Sequence, residues 1–351
     1  MKVVLLSTSD IGHGAGVAAY RLHRSLVSAG IESKMLVCEK LSNDDSVFEI
    51  LSEPKHKVWK YLRKLVHKLE NLINYLGPQC AFSLLSIFLI FHPILKSADI
   101  IHFHNIHWTR KNLSLLLLFL KKPIVWTLHD MWPVTGHCIY SYECENWKNG
   151  CGSCPDLNIY LPLFFDNTAY QWKLKKYIYD KTRPILVSPS KWLEQITNIS
   201  PLFNNCLKYR IPYGVDHLEF MPMDKFEARQ KLGLKKDCKY LLWAASDIND
   251  QRKGFKYFER AMESFAAIAP TENIEILIVG RGYSQSSVIE KHFKVNDLGH
   301  LENFNDLSFV IAAANIFITT SIQDNLPNII LESLSCGTPV VGFGIAVYQI
   351  W

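Results

Sequence analysis

The stretch Thr319–Val341, TTSIQDNLPNIILESLSCGTPVV, sets the reading of the whole chain. A β-branched run, Ile316–Thr319, ends in a polar loop, and an apolar-periodic segment from Asn328 to Ser335 follows. Strand, loop and helix in that order are the unit of a parallel sheet with crossover helices. Within the unit, Asp324 and Glu332 stand with seven residues between them. Asn325, Leu326 and Pro327 lead into the helix, whose first backbone amides have no intrahelical partner and suit an anion. Glu332 lies about one turn in. Two carboxylates placed this way can hold sugar and ribose hydroxyls while the amides take phosphate. The plain alternative is an ordinary amphipathic helix with Glu332 facing solvent.

The same alternation runs along the chain. Strands are expected at Val3–Ser7, Glu32–Val37, Ile100–Phe103, Ile124–Leu128 and Ile185–Ser188, then at Tyr240–Ala244, Ile274–Val279, Ile316–Thr319 and Pro339–Gly342. Helices follow at Gly16–Ala29, Leu113–Leu120, Trp192–Ile196, Phe255–Phe265, Leu307–Ala314 and Asn328–Ser335. The expected fold class is α/β, with two Rossmann-like, doubly wound parallel-sheet domains in series. Residues 1–206 make the first and 207–351 the second, with the crossing near Asn204–Gly214. Ligands of such domains bind beyond the carboxyl ends of the strands.

A chain of 351 residues is long enough for two domains with separate cores. The net charge of +5 is mild and no dense basic motif is present, so nucleic acid is not expected as a partner. The apolar start, MKVVLLSTSD, is too short for a signal-peptide core and reads as a strand. Cys80–Leu95 is shorter than the roughly 20 residues that span a bilayer, and it reads as a buried helix. A cytoplasmic location follows, and the nine cysteines are then expected as thiols or metal ligands.

Several strand ends carry chemistry. Gly12, Gly14 and Gly16 lie between the first strand and its helix, where bare amides can approach a ligand. The spacing is not the dinucleotide fingerprint. His129, followed by Asp130, ends another strand, where a neutral imidazole can meet a substrate hydroxyl. His102 and His104 share a strand face, without an evident third metal ligand. Cys138, Cys144, Cys151 and Cys154 fall within seventeen residues, and two readings stay open: a structural zinc site and a reduced thiol cluster. Arg252 and Lys253 follow a strand and could neutralise a diphosphate, with Gly254 opening a helix. Gly280, in VGRG, allows a ligand close to the backbone.

With these residues in view, the chain resembles the family-4 glycosyltransferases of the two-domain GT-B fold. Their hallmark is an acidic-x7-Glu motif followed by A-x-G-x-P, here Asp324-x7-Glu332 and then SLSCGTPVV. The segments AAYRLHRSL, IVWTLHDMWPVTGHC, CENWKNGCGSCP, SPSKWL, IPYGVD and RKGF look like the subgroup that builds bacterial exopolysaccharide, colanic-acid-type polymers and O-antigen. The resemblance implies two domains facing across a cleft and retaining transfer of a sugar from a UDP- or GDP-sugar. The acceptor it implies is a glycan or lipid-linked molecule, and no metal takes part in catalysis. It puts Gly12, Gly14, Gly16 and His129 on the acceptor side. It gives the diphosphate to Lys253, the ribose to Glu332, and catalytic roles to His129, Asp324 and Glu332. Arg252, Gly280, Asn325 and Leu326 complete the donor site. Relatives carry an Arg a few residues before that Lys, whereas this chain reads AASDIND there.

Two further expectations concern the ends of the argument. Between Pro54 and Leu76, leucines at three- and four-residue steps alternate with Lys57, Lys60, Lys64 and Lys68, a basic amphipathic helix that fits either an anionic inner-membrane surface or its own domain. At the other end, Ile345–Trp351 departs from the GGIPDMV-like loop of relatives. Deleting one base from the first glycine codon of such a loop produces Ile-Ala-Val-Tyr-Gln-Ile-Trp and a stop. The sequence is thus expected to be truncated in its second domain, and an inactive remnant that at most binds nucleotide or a partner is the alternative to an active enzyme.

Overall fold

The computed structural model describes residues 1–50, 68–69, 89–108, 111–112, 114–159, 162–301 and 303–344. It divides into two units, Met1–Tyr213 and Gly214–Trp351. The first holds strands β1 (Lys2–Ser9), β2 (Glu32–Glu39), β3 (Val47–Glu49), β4 (Ile100–Phe103), the short β5 (His107–Trp108) and β6 (Lys111–Asn112), β7 (Ile124–Thr127), β8 (Ile185–Ser188) and β9 (Lys208–Arg210). Its helices are α1 (Gly14–Ser28), α2 (Pro93–Ser97), α3 (Ser114–Phe119), α4 (Thr168–Thr182) and α5 (Lys191–Ile199).

Seven of these strands form one sheet in the order β3-β2-β1-β4-β7-β8-β9. Every pairing is parallel; Leu5, for example, lies beside Met35 on one side and His102 on the other. A parallel strand covered on both faces must be apolar throughout, and β1 is buried at every position after Lys2. Helix α1 can lie against it because Gly16 has no side chain: a Cβ there would stand 2.7 Å from the Ser9 carbonyl oxygen. On the opposite half, Tyr179 of α4 packs edge-on against Trp126 and stacks on Phe203. Each such buried aromatic contributes about 1.5–3 kcal/mol of apolar burial.

The second unit repeats the design with β10 (Lys239–Asp247), β11 (Ile274–Arg281), β12 (Lys294–Asp297), β13 (Ile316–Thr319) and β14 (Val340–Gly342), ordered β12-β11-β10-β13-β14 and again parallel. Its helices are α6 (Lys225–Lys231), α7 (Phe255–Ala266), α8 (Ser287–Glu290), α9 (Phe304–Ala313) and α10 (Asn328–Ser335). Leu242, Leu277 and Phe317 fill one face of this sheet and Trp243, Ile276 and Ile278 the other.

Strand order reverses between β1 and β4 in the first unit and between β10 and β13 in the second. Loops leaving the two strands on either side of such a reversal diverge, and the crevice they leave is where ligands bind. The residues after β1, β4, β10 and β13 therefore matter most.

Three expectations need adjustment. The division after residue 206 falls just before β9, which pairs with β8 and so carries the first unit on to Tyr213. Helix α4 was not anticipated. The described part of Cys80–Leu95 is interrupted, with a turn at Phe91 before α2. Pro54–Leu76, apart from 68–69, and Ile345–Trp351 lie outside the described residues. Among the described residues no helix is long and apolar enough to cross a membrane.

Candidate active site

At the reversal in the second unit, the loop after β10 docks onto the loop after β13. Gly254, with φ +70°, is where the chain turns into α7, and a Cβ on it would stand 2.2 Å from the Thr320 carbonyl oxygen. The Thr320 hydroxyl donates to the Gly254 carbonyl at 2.9 Å and accepts from the Trp243 indole N–H at 3.0 Å. The Ile322 amide donates to the Arg252 carbonyl at 2.9 Å. These bonds fix the register of Arg252 and Lys253 against Asp324.

The side chains then converge. Lys253 Nζ donates to Asp324 Oδ2 at 2.6 Å and Arg252 Nη1 to the same oxygen at 2.8 Å. Arg252 also reaches Asp250 Oδ2 at 3.0 Å. Burial alone would raise the Asp324 pKa, but Lys253 and then Arg252 outweigh it and hold the carboxyl well below the usual range. The Arg252 guanidinium and the Lys253 ammonium thus share one carboxylate oxygen of Asp324.

The other residues expected of a donor site lie in the same unit. Glu332, on α10, is 3% exposed, which removes the solvent-facing alternative. Burial, and then the Glu332 charge, push the neighbouring Cys336 thiol up to about 11. Asn325 is buried and its amide donates to Asp324 Oδ1 at 2.9 Å, so that amide serves the carboxylate. Leu326 is buried too. Pro327 is the residue before α10 and has no side-chain acceptor to offer the first-turn amides. Gly280, with φ +151°, is glycine for a packing reason: a Cβ would stand 2.3 Å from the Ala245 carbonyl oxygen of the adjacent strand. Close approach of a ligand is not needed to explain it.

In the first unit, the loop after β1 is tied down by a residue that sequence reading passed over. The buried Asp10 carboxylate accepts from the amides of Ile11, Leu41 and Ser42 at 2.9, 2.9 and 2.8 Å. Burial would raise its pKa, yet those hydrogen bonds, led by Ser42, hold it down. Gly12 and Gly14 stay exposed, while Gly16 is buried against Ser9.

After β4 and β7 the histidines gather. His129 Nε2 is 3.0 Å from His104 Nδ1, and His129 Nδ1 is 2.6 Å from the Tyr213 hydroxyl. His102 stacks on His104 and bonds the Thr127 hydroxyl at 2.8 Å. Burial lowers the His129 pKa to about 3 and that of His102 to about 4, and depresses His104 with help from its two neighbours. All three rings are therefore neutral at physiological pH. Asp130 accepts from His107 at 3.0 Å and from the Trp132 amide at 2.8 Å. The expected His129 is in place. Its partners His104 and Tyr213 were not anticipated, although HFHNIH and IPYG sit at the ends of a strand and of the unit.

Cys138, Cys144, Cys151 and Cys154 line one cavity of about 20 Å³ together with His137. All four are free thiols. The Gly136 amide donates to Cys151 Sγ at 3.2 Å, and Cys154 Sγ lies 3.5 Å from His137 Nε2. Burial pushes Cys138 up to about 12 and Cys151 to about 11. Among the described residues no group of three or more His, Cys, Asp or Glu is arranged to hold a metal ion.

Two parallel sheets with polar clusters at both strand-order reversals define a GT-B fold, and known proteins match it. Sucrose-phosphate synthase from Thermosynechococcus elongatus superposes with a TM-score of 0.59 at 17% identity, over 97% of this chain and 80% of that one. Anabaena HepE, solved with UDP and glucose, gives 0.56 at 15%, over 97% and 80%. WaaG, a glycosyltransferase involved in lipopolysaccharide biosynthesis, gives 0.58 at 15%, over 99% and 82%. Residues 238–350, within the second unit, match the family model Glycosyl transferases group 1. A candidate colanic acid biosynthesis glycosyl transferase, WcaC of Escherichia coli (strain K12), is 26% identical over 269 residues. That match takes in 72% of this chain, which spans 62% of the length of WcaC.

Proposed function

We propose that this chain is a retaining glycosyltransferase that moves a sugar from a nucleotide-sugar, with UDP or GDP as its nucleotide, to a growing, lipid-linked surface polysaccharide. The observation that carries the reading is the meeting of Arg252 and Lys253 on Asp324, between the two loops that leave the strand-order reversal of the second unit. A nucleoside diphosphate is the polyanion that suits two cations at that place in a group 1 domain. UDP bound to HepE and the glycan-building role in the names of WaaG and WcaC support it by analogy.

In this reading the bond between the anomeric carbon and the diphosphate oxygen breaks while the acceptor oxygen bonds to the same face of the sugar. The acceptor proton leaves with the diphosphate or to solvent. Negative charge grows on the leaving oxygen, and Lys253, Arg252 and the first-turn amides of α10 lie where they can stabilise it. Those cations supply the charge a metal ion would otherwise provide. Glu332 holds the ribose, Asp324 sugar hydroxyls once the diphosphate has taken the cations, and the loop of Gly12 and Gly14 serves the acceptor side, with His129 acting there through its neighbour His104.

The test is transfer of radiolabelled sugar from a panel of UDP- and GDP-sugars to lipid extracts by the full chain. Lys253→Ala is expected to reduce transfer by about 10²–10³-fold. Donor binding without transfer in the unaltered chain would favour the inactive remnant instead. Contact with an anionic inner-membrane surface through Pro54–Leu76 is part of the proposal. In liposome flotation, charge reversal at Lys57, Lys60 and Lys64 should release the protein, and equal binding of variant and wild type would end that part of the reading.

A further inference from the structure

His104 is 3% exposed, and its Nε2 is buried with no hydrogen-bond partner. An imidazole nitrogen left that way has lost its water without compensation, so a compensating group is called for. The ring lines a cavity of about 10 Å³ whose polar walls also include Asn105, His107, His129 and Asp130. That space admits a single oxygen atom and little else.

Which kind of oxygen follows from the chain of bonds behind the ring. A phenol is a good donor, and a neutral imidazole nitrogen is a better acceptor than a phenol oxygen. On that ground we infer that the Tyr213 hydroxyl is the donor to His129 Nδ1 across 2.6 Å. A neutral ring carries one N–H, so His129 is protonated on Nε2 and donates to His104 Nδ1 across 3.0 Å. His104, also neutral, then carries its proton on Nε2, which is a donor facing the cavity. The order of protons in all three groups is fixed from one end, by Tyr213.

We propose that His104, oriented through His129 by Tyr213, forms a one-oxygen subsite whose Nε2–H donates to a hydroxyl oxygen, either of a bound sugar or of a water molecule. His104 is the group that touches the ligand, and His129 and Tyr213 are positioning residues. The sugar arm of this inference rests on the glycosyltransferase reading; the proton order does not.

The experiment is long-range ¹H–¹⁵N spectroscopy of the full chain labelled at histidine, with the ring signals assigned by single substitutions at other histidines. His104 and His129 are both expected to be protonated on Nε2. In Tyr213→Phe, His129 should lose its single tautomer and His104 should follow, whereas a merely structural tyrosine would leave both rings as they were. Protonation of either ring on Nδ1 in the wild-type protein overturns the inference, and this arm needs no variant at Tyr213 or His104. UDP-glucose and UDP are then added in turn. A shift of the His104 Nε2–H resonance with UDP-glucose but not UDP assigns the oxygen to a sugar. A slowly exchanging, hydrogen-bonded Nε2–H unaffected by either assigns it to water. A freely exchanging proton with no hydrogen-bond shift overturns the subsite. Absence of sugar transfer, by contrast, would count against the proposed activity and leave the tautomer result standing.

Discussion

Replacing Asp324 by Asn keeps the shape of the side chain and its bond to the Asn325 amide, and removes only the charge gripped by Lys253 and Arg252. At contact distances of 2.6 and 2.8 Å each attraction is worth about 6 kcal/mol gross at an effective dielectric constant of 20. Desolvation cancels much of that, and taking one partner from a buried pair typically costs about 3–5 kcal/mol. Asp324→Asn should thus lower the melting temperature by roughly 10 °C, on the scale of 2–4 °C per kcal/mol for a domain of this class. The same change leaves two cations facing a neutral amide, which a diphosphate would neutralise. UDP at 100 times its Kd stabilises by about 2.7 kcal/mol whatever the protein. The variant should reach that stabilisation at lower UDP concentration than the wild type, because no carboxylate competes. Scanning fluorimetry of both proteins across a UDP titration reads both effects. Equal melting temperatures without UDP, or weaker UDP binding by the variant, would refute the placement of Asp324 as the anion that diphosphate displaces.

Other consequences can be measured directly. Gly254→Ala combines a left-handed backbone with a Cβ 2.2 Å from the Thr320 carbonyl, and should cost more than the usual ~1–3 kcal/mol of backbone strain, read by urea denaturation. Stability should fall as pH drops below about 6.5: the unfolded chain protonates its histidines there, while His102 stays neutral to about 4 and His129 to about 3. Each depressed histidine adds up to ~1.4 kcal/mol per pH unit across its window, and a flat melting temperature between pH 6.5 and 4.5 would contradict the burial of these rings. Cys138 and Cys151, with thiol pKa values near 12 and 11, should resist iodoacetamide at pH 8 in the native protein, as judged by mass spectrometry. Protection that vanishes on adding a chelator would instead identify a zinc held by the four cysteines.

How far the residues alone could lead is clear from α4 and from the strand ends. The strands announced themselves because a sheet covered on both faces needs unbroken apolar runs, as in VVLLS of β1. Helix α4 did not, because its buried face includes Gln171 and Lys175 beside Trp172 and Ile178. Lys175 is fully buried and donates to the carbonyls of Trp132 and Thr135 at 2.6 and 2.9 Å, so a core position is filled by a charge that satisfies a loop. Hydrophobic periodicity is blind to such a residue. The residue-to-residue pairing of Arg252 with Asp324 was equally hidden, since it depends on two loops seventy residues apart being docked by Thr320 and Gly254. Gly280 shows a different limit: a glycine after a strand invites a ligand reading, and packing against the Ala245 carbonyl also calls for glycine there.

The two strand-order reversals, each considered within its own unit, differ in charge for a physical reason. At the first, His102, His104 and His129 are crowded together and buried, and each ring raises the cost of protonating the next. The economical state is a neutral one, and the proposed partner of such a cluster is a neutral oxygen atom. At the second, the fold brings the Asp324 carboxylate to Arg252 and Lys253. In the proposed function, that carboxylate gives way to the diphosphate, which has more charge to offer. Charge reversal at Lys253 should therefore abolish nucleotide binding and leave the histidine tautomers untouched, while Tyr213→Phe should do the reverse.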